Sequence, residues 1–194
     1  MPTLFLDTET TGMYDFKSHF TAKNQPHICQ IAALLDDEDR DEVASISLLI
    51  NPSGWTFDPE AVSVHGITLE KAMECGVSLA LACQIFNALL QKSDRLVAHN
   101  LKFDLQVMAS QFAKVGQTFD TGSRKGYCTM LASTTICKLP STRYNQYKWP
   151  KLAEAYQILC GEELIGAHDA LADVRACKEI YYQLIDAGVE CPWS

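Results

Sequence analysis

Three short, β-rich apolar runs stand at the head of the chain, at residues 3–7, 27–35 and 43–50, and from residue 78 onward the apolar spacing becomes helical. That order is the feature that most restricts the fold. Strands first, then helices alternating with one or two further strands, predict an α/β protein with about five strands in a mixed sheet. The first three strands would run antiparallel, and helices would cover both faces. Residues 36–42 hold six acids in seven positions and read as a solvated turn that makes the second and third strands a hairpin. Helices are expected over 78–92, 101–115, 131–137, 170–187 and from Trp149-Pro150 to residue 159, with a short helical turn at 59–65. Strands are expected at 95–99 and 127–130, and residues 8–25 read as a long polar connection. No internal repeat or long linker divides the 194 residues, so a single domain spanning 1–194 is expected.

Several protein classes are excluded on elementary grounds. The longest apolar stretch, residues 79–90, is interrupted by Gln84 and Asn87, whereas a membrane span needs about 20 apolar residues. The start lacks a basic region and reaches a charge at Asp7, which is unlike a secretory leader. The eight cysteines include no C-x-x-C spacing, and they read as reduced thiols of a cytoplasmic protein. A net charge of −8 argues against a polyanionic partner, but the charge is unevenly spread. Residues 121–151 contain no acid and six bases (Arg124, Lys125, Lys138, Arg143, Lys148 and Lys151) interleaved with Tyr127, Tyr144, Tyr147 and Trp149. This composition suits either an ordinary exposed segment or a groove for single-stranded nucleic acid, with cations for phosphates and rings for unstacked bases.

The chemistry begins at Asp7 and Glu9. Residues two apart on an extended chain share a side, so both carboxylates can aim at one point. Like charges held together raise each other's pKa, and hard divalent ions such as Mg²⁺ or Mn²⁺ relieve the repulsion through oxygen ligands. The wording around them is Leu4-Phe5-Leu6-Asp7-Thr8-Glu9-Thr10-Thr11-Gly12. Further along come Asp58-Pro59-Glu60-Ala61 and Val64-His65-Gly66-Ile67-Thr68, then Val97-Ala98-His99-Asn100-Leu101-Lys102-Phe103-Asp104, and last His168-Asp169-Ala170-Leu171-Ala172-Asp173. Together, in this order, these stretches resemble the motifs of the DEDD 3′→5′ exonucleases, histidine subclass (DnaQ-like), which includes the proofreading subunits of bacterial replicative polymerases. The resemblance covers roughly residues 3–187.

That resemblance implies an RNase H-like fold and a catalytic set of Asp7, Glu9, Asp104, Asp173 and His168. Four carboxylates gathered from distant segments would need metal, and two divalent cations would neutralise them and clamp a phosphodiester. By resemblance Asp7 bridges both ions, Glu9 and Asp173 complete the water-bearing one, and Asp104 serves the second. His168 is the natural general base, since an unperturbed imidazole has a pKa of about 6.5. Asp169 and Asp173 lie four apart on one helical face; motif register assigns Asp169 to the helix cap and Asp173 to metal. Thr10, Thr11, Gly12, Glu60, His65, Asn100 and Phe103 are the expected substrate contacts, although turn, capping and core roles fit several of them as well.

The implied activity is hydrolysis of single-stranded or frayed DNA from the 3′ end, releasing nucleoside 5′-monophosphates, with a DNA polymerase as a conceivable partner. An exoribonuclease working on short RNA or tRNA ends is the alternative within the fold, and a catalytically silent accessory subunit is the alternative outside it. One departure from the family pattern stands out. Residues 13–25 make a longer loop than usual after the first motif and carry Phe16, Lys17, His19, Phe20 and Lys23. The loop reads as a lid, a grip on substrate, or a passive insertion.

Overall fold

The computed structural model describes residues 1–141 and 147–191. Five strands form one sheet: β1 (Thr3–Thr10), β2 (Ile28–Asp36), β3 (Glu42–Leu49), β4 (Arg95–Ala98) and β5 (Lys125–Cys128), in the spatial order β3-β2-β1-β4-β5. β1, β2 and β3 pair antiparallel, whereas β4 and β5 continue the sheet in parallel with β1. The sheet is mixed, as its sequence order predicts. Every residue of β2 is buried, and a strand without an alternating exposed side must be covered on both faces.

The described helices are α1 (Pro59–His65), α2 (Leu69–Cys75), α3 (Leu79–Leu90), α4 (Leu101–Lys114), α5 (Thr129–Cys137), α6 (Leu152–Cys160) and α7 (Ala170–Asp186). α7 crosses β1, β2 and β4 with α5 and α6 beside it, while α3 and α4 pack on each other and on the sheet. The core is built from Leu4, Phe5, Leu6, Ile31, Leu34, Leu96 and Val97 of the sheet and Phe86, Phe112, Ile180 and Leu184 of the helices. Phe5 meets Tyr181 edge-on at 5.4 Å. Cys83, Cys128, Cys177 and Cys191 are buried among these groups as small apolar side chains, and Cys29 is buried in a second cluster with Ile67 and Ala72.

Several boundaries differ from expectation. β1 continues past Asp7 to Thr10, pairing Glu9 with Gln30, so Glu9 stands on the strand and not in the connection. α2 was not predicted: Thr68 caps it by accepting from the Lys71 N–H, and only Ala72 of its seven residues is buried. α6 starts at Leu152, after Pro150, because the Glu154 carboxylate accepts the Lys151 N–H at 2.8 Å and caps the helix there. β5 begins at Lys125 and ends before Thr129, where α5 begins.

The basic segment is divided by the same topology. Lys125 pairs with Arg95 at the start of two parallel strands, and the Arg124 guanidinium is spent on the carbonyls of Leu90 and Ser93, both at 2.9 Å. These two bases sit at the opposite end of the sheet from the acidic site described below, so they cannot belong to one groove leading into it. Arg143 and Tyr144 lie outside the described residues.

Candidate active site

The stretch of β1 that pairs with β4 is Thr3, Leu4 and Phe5. Beyond Phe5 the strand loses that neighbour, and Asp7 and Glu9 project past the end of β4 into the notch where α4 begins. Ligand sites of α/β sheets favour such a crevice beyond the carboxyl ends of parallel strands. Two helices start beside it. Asp104 is in the first turn of α4 and Asp173 in the first turn of α7, where the N-terminal dipole favours negative charge.

The turn into α4 is unusual: Asn100, its N-cap, has φ of 83° and its side chain makes no capping bond. That conformation costs a non-glycine residue energy, and it swings the chain from the end of β4 directly into the helix carrying Asp104. His99, one residue earlier, ties this corner down through Thr129 Oγ1 and the Pro150 carbonyl, each at 3.0 Å. Burial pushes its imidazole down to about 4, so it is a neutral tether. At α7 the two acids have different surroundings, and Asp169 is the helix cap that the motif register expects. Asp169 Oδ1 accepts the N–H groups of Leu171 and Ala172, and Asp173 turns inward, with 7% of its surface exposed.

The carboxylates crowd one another. Burial and then the charges of Asp104, Asp173 and Glu9 raise the Asp7 carboxyl well above its usual range. Glu9 is pushed up to about 7, mainly by burial and secondly by Asp173. Asp104, 2% exposed, reaches about 7 through burial, even though the Thr8 hydroxyl donates to its Oδ1 at 2.9 Å and favours the charged form. Asp173 is raised by burial and partly restored by the His168 N–H, which donates to Oδ2 at 3.0 Å. Its other oxygen, Oδ1, is buried with no partner among the described residues.

Glu9, His168 and Asp173 each offer a ligand atom, and the three atoms lie within 4.8 Å of one another. His168 is exposed and adopts a left-handed φ of 71° just ahead of the α7 cap. An orphaned buried carboxylate oxygen, beside two more acids whose charges repel, is the donor set that suits a hard divalent cation.

A cleft of about 510 Å³ opens next to this cluster, lined by Thr8, Glu9, Thr10, Gly12, Met13, Asp58, Glu60, Ala61, Val64, His65 and Phe103. That volume accommodates a small ligand or a single nucleotide unit. Six residues expected from sequence line it: Glu9, Thr10, Gly12, Glu60, His65 and Phe103. Thr11 does not; its N–H and Oγ1 are both engaged with the backbone of His27 at 2.9 Å. Asn100 also lies outside the lining, at the corner already described. The His65 ring accepts the Ile67 N–H at Nδ1 (3.0 Å), which leaves the proton of the neutral ring on Nε2. That nitrogen is buried without a partner among the described residues, and burial followed by the nearby His168 lowers the ring's pKa.

Sequence reasoning passed over Thr8, Met13, Asp58, Ala61 and Val64. Thr8 was legible in principle, because on a strand it faces the side opposite Asp7 and Glu9, toward the helix that follows β4.

Residues 4–181 match the model of the exonuclease family RNase_T. The chain belongs to this family. Its resemblance to DnaQ-like 3′→5′ exonucleases, read from three separated motifs, therefore holds. Among similar proteins, the DNA polymerase III subunit epsilon of Pasteurella multocida is 26% identical over 184 residues, covering 92% of this chain and 66% of the relative. The subunit epsilon of Escherichia coli is 26% identical over 180 residues, covering 92% of this chain and 69% of its own length. The family fold is seen in E. coli exonuclease I in complex with a dT13 oligonucleotide (TM-score 0.75, 22% identity, 95% of this chain). A zinc-bound form of an exonuclease I–single-stranded DNA complex gives the same TM-score at 20% identity. The chain spans 41% of the first of these exonuclease I chains, so the likeness to them concerns the nuclease fold.

Proposed function

We propose that this protein is a metal-dependent 3′→5′ exonuclease that removes nucleotides from single-stranded or frayed DNA 3′ ends and releases nucleoside 5′-monophosphates. The observation that carries the reading is the convergence of Glu9, His168 and Asp173 beside Asp7 and Asp104, with one Asp173 oxygen buried and without a partner among the described residues. Asp7, Glu9, Asp104 and Asp173 would hold two Mg²⁺ or Mn²⁺ ions, the ions favoured by hard carboxylate donors. When bound, these ions would supply Lewis-acid stabilisation of the phosphodiester oxygens and an acidified water.

The rest of the mechanism belongs to the chain. His168, exposed and within 4.8 Å of the Glu9 and Asp173 ligand atoms, takes the proton of the attacking water at an imidazole nitrogen. Its own N–H to Asp173 Oδ2 ties the position of this base to that of the carboxylate. The Nε2–H of His65 donates into the cleft, where the sugar or phosphate of the terminal nucleotide supplies an acceptor. Thr10 and Gly12 wall the opposite side; the Thr10 hydroxyl donates to the Gly12 carbonyl at 2.7 Å and holds that turn closed. Phe103 offers an apolar surface to the terminal base. The cleft admits an unpaired end more readily than a paired one, because pairing would first have to be broken. The relatives named as polymerase subunits extend the proposal to a polymerase partner, which co-elution of the two proteins would test.

The deciding assay offers matched DNA and RNA oligomers, single-stranded, paired and mismatched, with Mg²⁺ or with EDTA. Expected are 5′-mononucleotides released from DNA 3′ ends with metal only, and no release by Asp7→Ala or Asp173→Ala. Activity that survives EDTA, products bearing 3′ phosphates, or preference for RNA would overturn the corresponding part of the reading.

A further inference from the structure

Met13 and Phe103 stand in the lining of the cleft. From Met13 the chain runs on to Phe16, and from Phe103 the helix α4 steps back to Lys102; the two paths meet where Lys102 Nζ lies 5.4 Å from the centre of the Phe16 ring. Met13 is 83% exposed, Phe16 53% and Phe20 36%, an unusual amount of apolar surface on thirteen residues of loop.

The loop beneath them is fastened. Tyr14 is buried, packs edge-on against Phe16 at 5.0 Å and donates its hydroxyl to Gln106 of α4. The buried Gln25 side chain donates to the Asp15 carbonyl and accepts the Asp15 N–H. Gln111 and Lys114 of α4 both donate to the Pro26 carbonyl. The one acid of the loop, Asp15, is turned onto its own backbone and neighbours, accepting from the Lys17 N–H, Ser18 Oγ and Asn24 Nδ2 at 2.7–3.0 Å. Lys17 and Lys23 of the loop are exposed, as is Lys102 beside the Phe16 ring.

We propose that residues 13–25 form a fixed wall, not a moving lid, on which the single-stranded nucleotides immediately 5′ of the terminal one are held. A base stacks on Phe16 while Lys102 and Lys17 take adjacent phosphates. Rings interleaved with cations are the chemistry that single strands recognise, and the wall begins where the terminal-nucleotide cleft stops. The inference rests on the exonuclease reading of that cleft but concerns different residues.

It is tested by anisotropy of a labelled single-stranded oligothymidylate with phosphorothioate linkages at its 3′ end, so that binding is read without turnover. Phe16→Ala is expected to weaken binding about tenfold, the loss of one stacked base, and Phe16→Trp to restore it. Lys102→Ala is expected to lower the slope of log affinity against log salt by about 0.7, one phosphate contact on a single strand. Melting temperatures of the variants are compared first, since Phe16 also touches Tyr14. Wild-type affinity in a folded Phe16→Ala protein overturns the wall, as does a change of oligomeric state without a change in DNA binding, which makes the rings a self-association face. The two readings separate cleanly. Weakened binding by Phe16→Ala in a protein that degrades no DNA supports the wall and sinks the nuclease, whereas degradation that ignores Phe16 does the reverse.

Discussion

Thr8 separates position from charge in the acidic site. It carries no charge and is too far round the strand to share a face with Asp7, yet its hydroxyl is the hydrogen bond that orients Asp104. Thr8→Val keeps the shape and removes the donor. Outer-sphere partners of metal-binding carboxylates are worth about 10–100-fold in metal affinity. Titration of Thr8→Val activity with Mg²⁺ or Mn²⁺ should show a weakening of that size, recovered by Thr8→Ser; an unchanged metal midpoint would leave Thr8 a purely structural side chain. His168 makes a different prediction. With His168 as base, the wild-type rate should carry a pH-dependent limb that His168→Gln flattens. A variant profile that parallels wild type would take His168 out of proton transfer. At this scale the sequence was most informative where an acid had to be placed and least where a neighbour had to be chosen. Asp169 and Asp173 were separable only through motif register, because both lie on one face of α7. Nothing local could reveal that Thr11 is tied to His27, since that pairing depends on how the loop between them closes.

At the scale of elements, the site is made by ends: the overhang of β1 past β4 and the first turns of α4 and α7. The expected end of β1 at Asp7 understated this, because the polar residues from Thr8 onward look like loop until β2 supplies Ile31 and Gln30 as partners. Strand pairing decided what local propensity could not. α2 was invisible for the complementary reason, a single buried residue giving no helical period. Its stop is nevertheless demanding. A Cβ on Gly76 would lie 2.3 Å from the Ala72 carbonyl oxygen and 2.5 Å from the Asn51 nitrogen, both backbone atoms that no rotamer can move. Gly76→Ala should therefore cost at least about 3 kcal/mol, the upper end for overpacking. A urea midpoint close to wild type, with an unchanged slope, would contradict this. The helix would then have to shift, and α1, with the Glu60 and His65 wall of the cleft, stands directly before it.

For the whole molecule, the gathering of acids predicts how stability responds to protons and metal. Glu9 and Asp104 titrate near 7 when folded and near the ordinary carboxylate value when unfolded, so between those limits the folded state binds more protons. The contribution of these two groups to the stability of the metal-free protein is then fully present below about pH 4 and is lost as pH rises through about 7. Bound metal should reverse the loss. At a hundredfold its dissociation constant, an ion stabilises by about 2.7 kcal/mol, or about 5–10 °C for a chain of this size. Melting curves in EDTA and in Mn²⁺ at pH 5 and pH 8 check both signs: a fall with pH in EDTA, and the larger metal effect at pH 8. Flat curves would mean that the acids do not act as one cluster. The overall architecture was readable because the order of strands and helices admits few sheets. The meeting of residues 7, 104 and 173 was readable only through the family resemblance, since no spacing rule links such distant positions. The basic run is split because parallel pairing places Lys125 at the start of β5, away from the acidic site.

α7 carries one more consequence. Its first turn holds Asp173, and farther along its length Lys178 and Tyr182 bond the Asp36 carboxylate while Asp186 grips Arg40 of the acidic turn. A helix of 17 residues spans roughly 25 Å, so that turn is an anchored outpost on the rear of the protein. A dye or a surface tether attached at Asp39 would travel with the rigid body and stay clear of the cleft. Single molecules could then be immobilised with their working side facing solution.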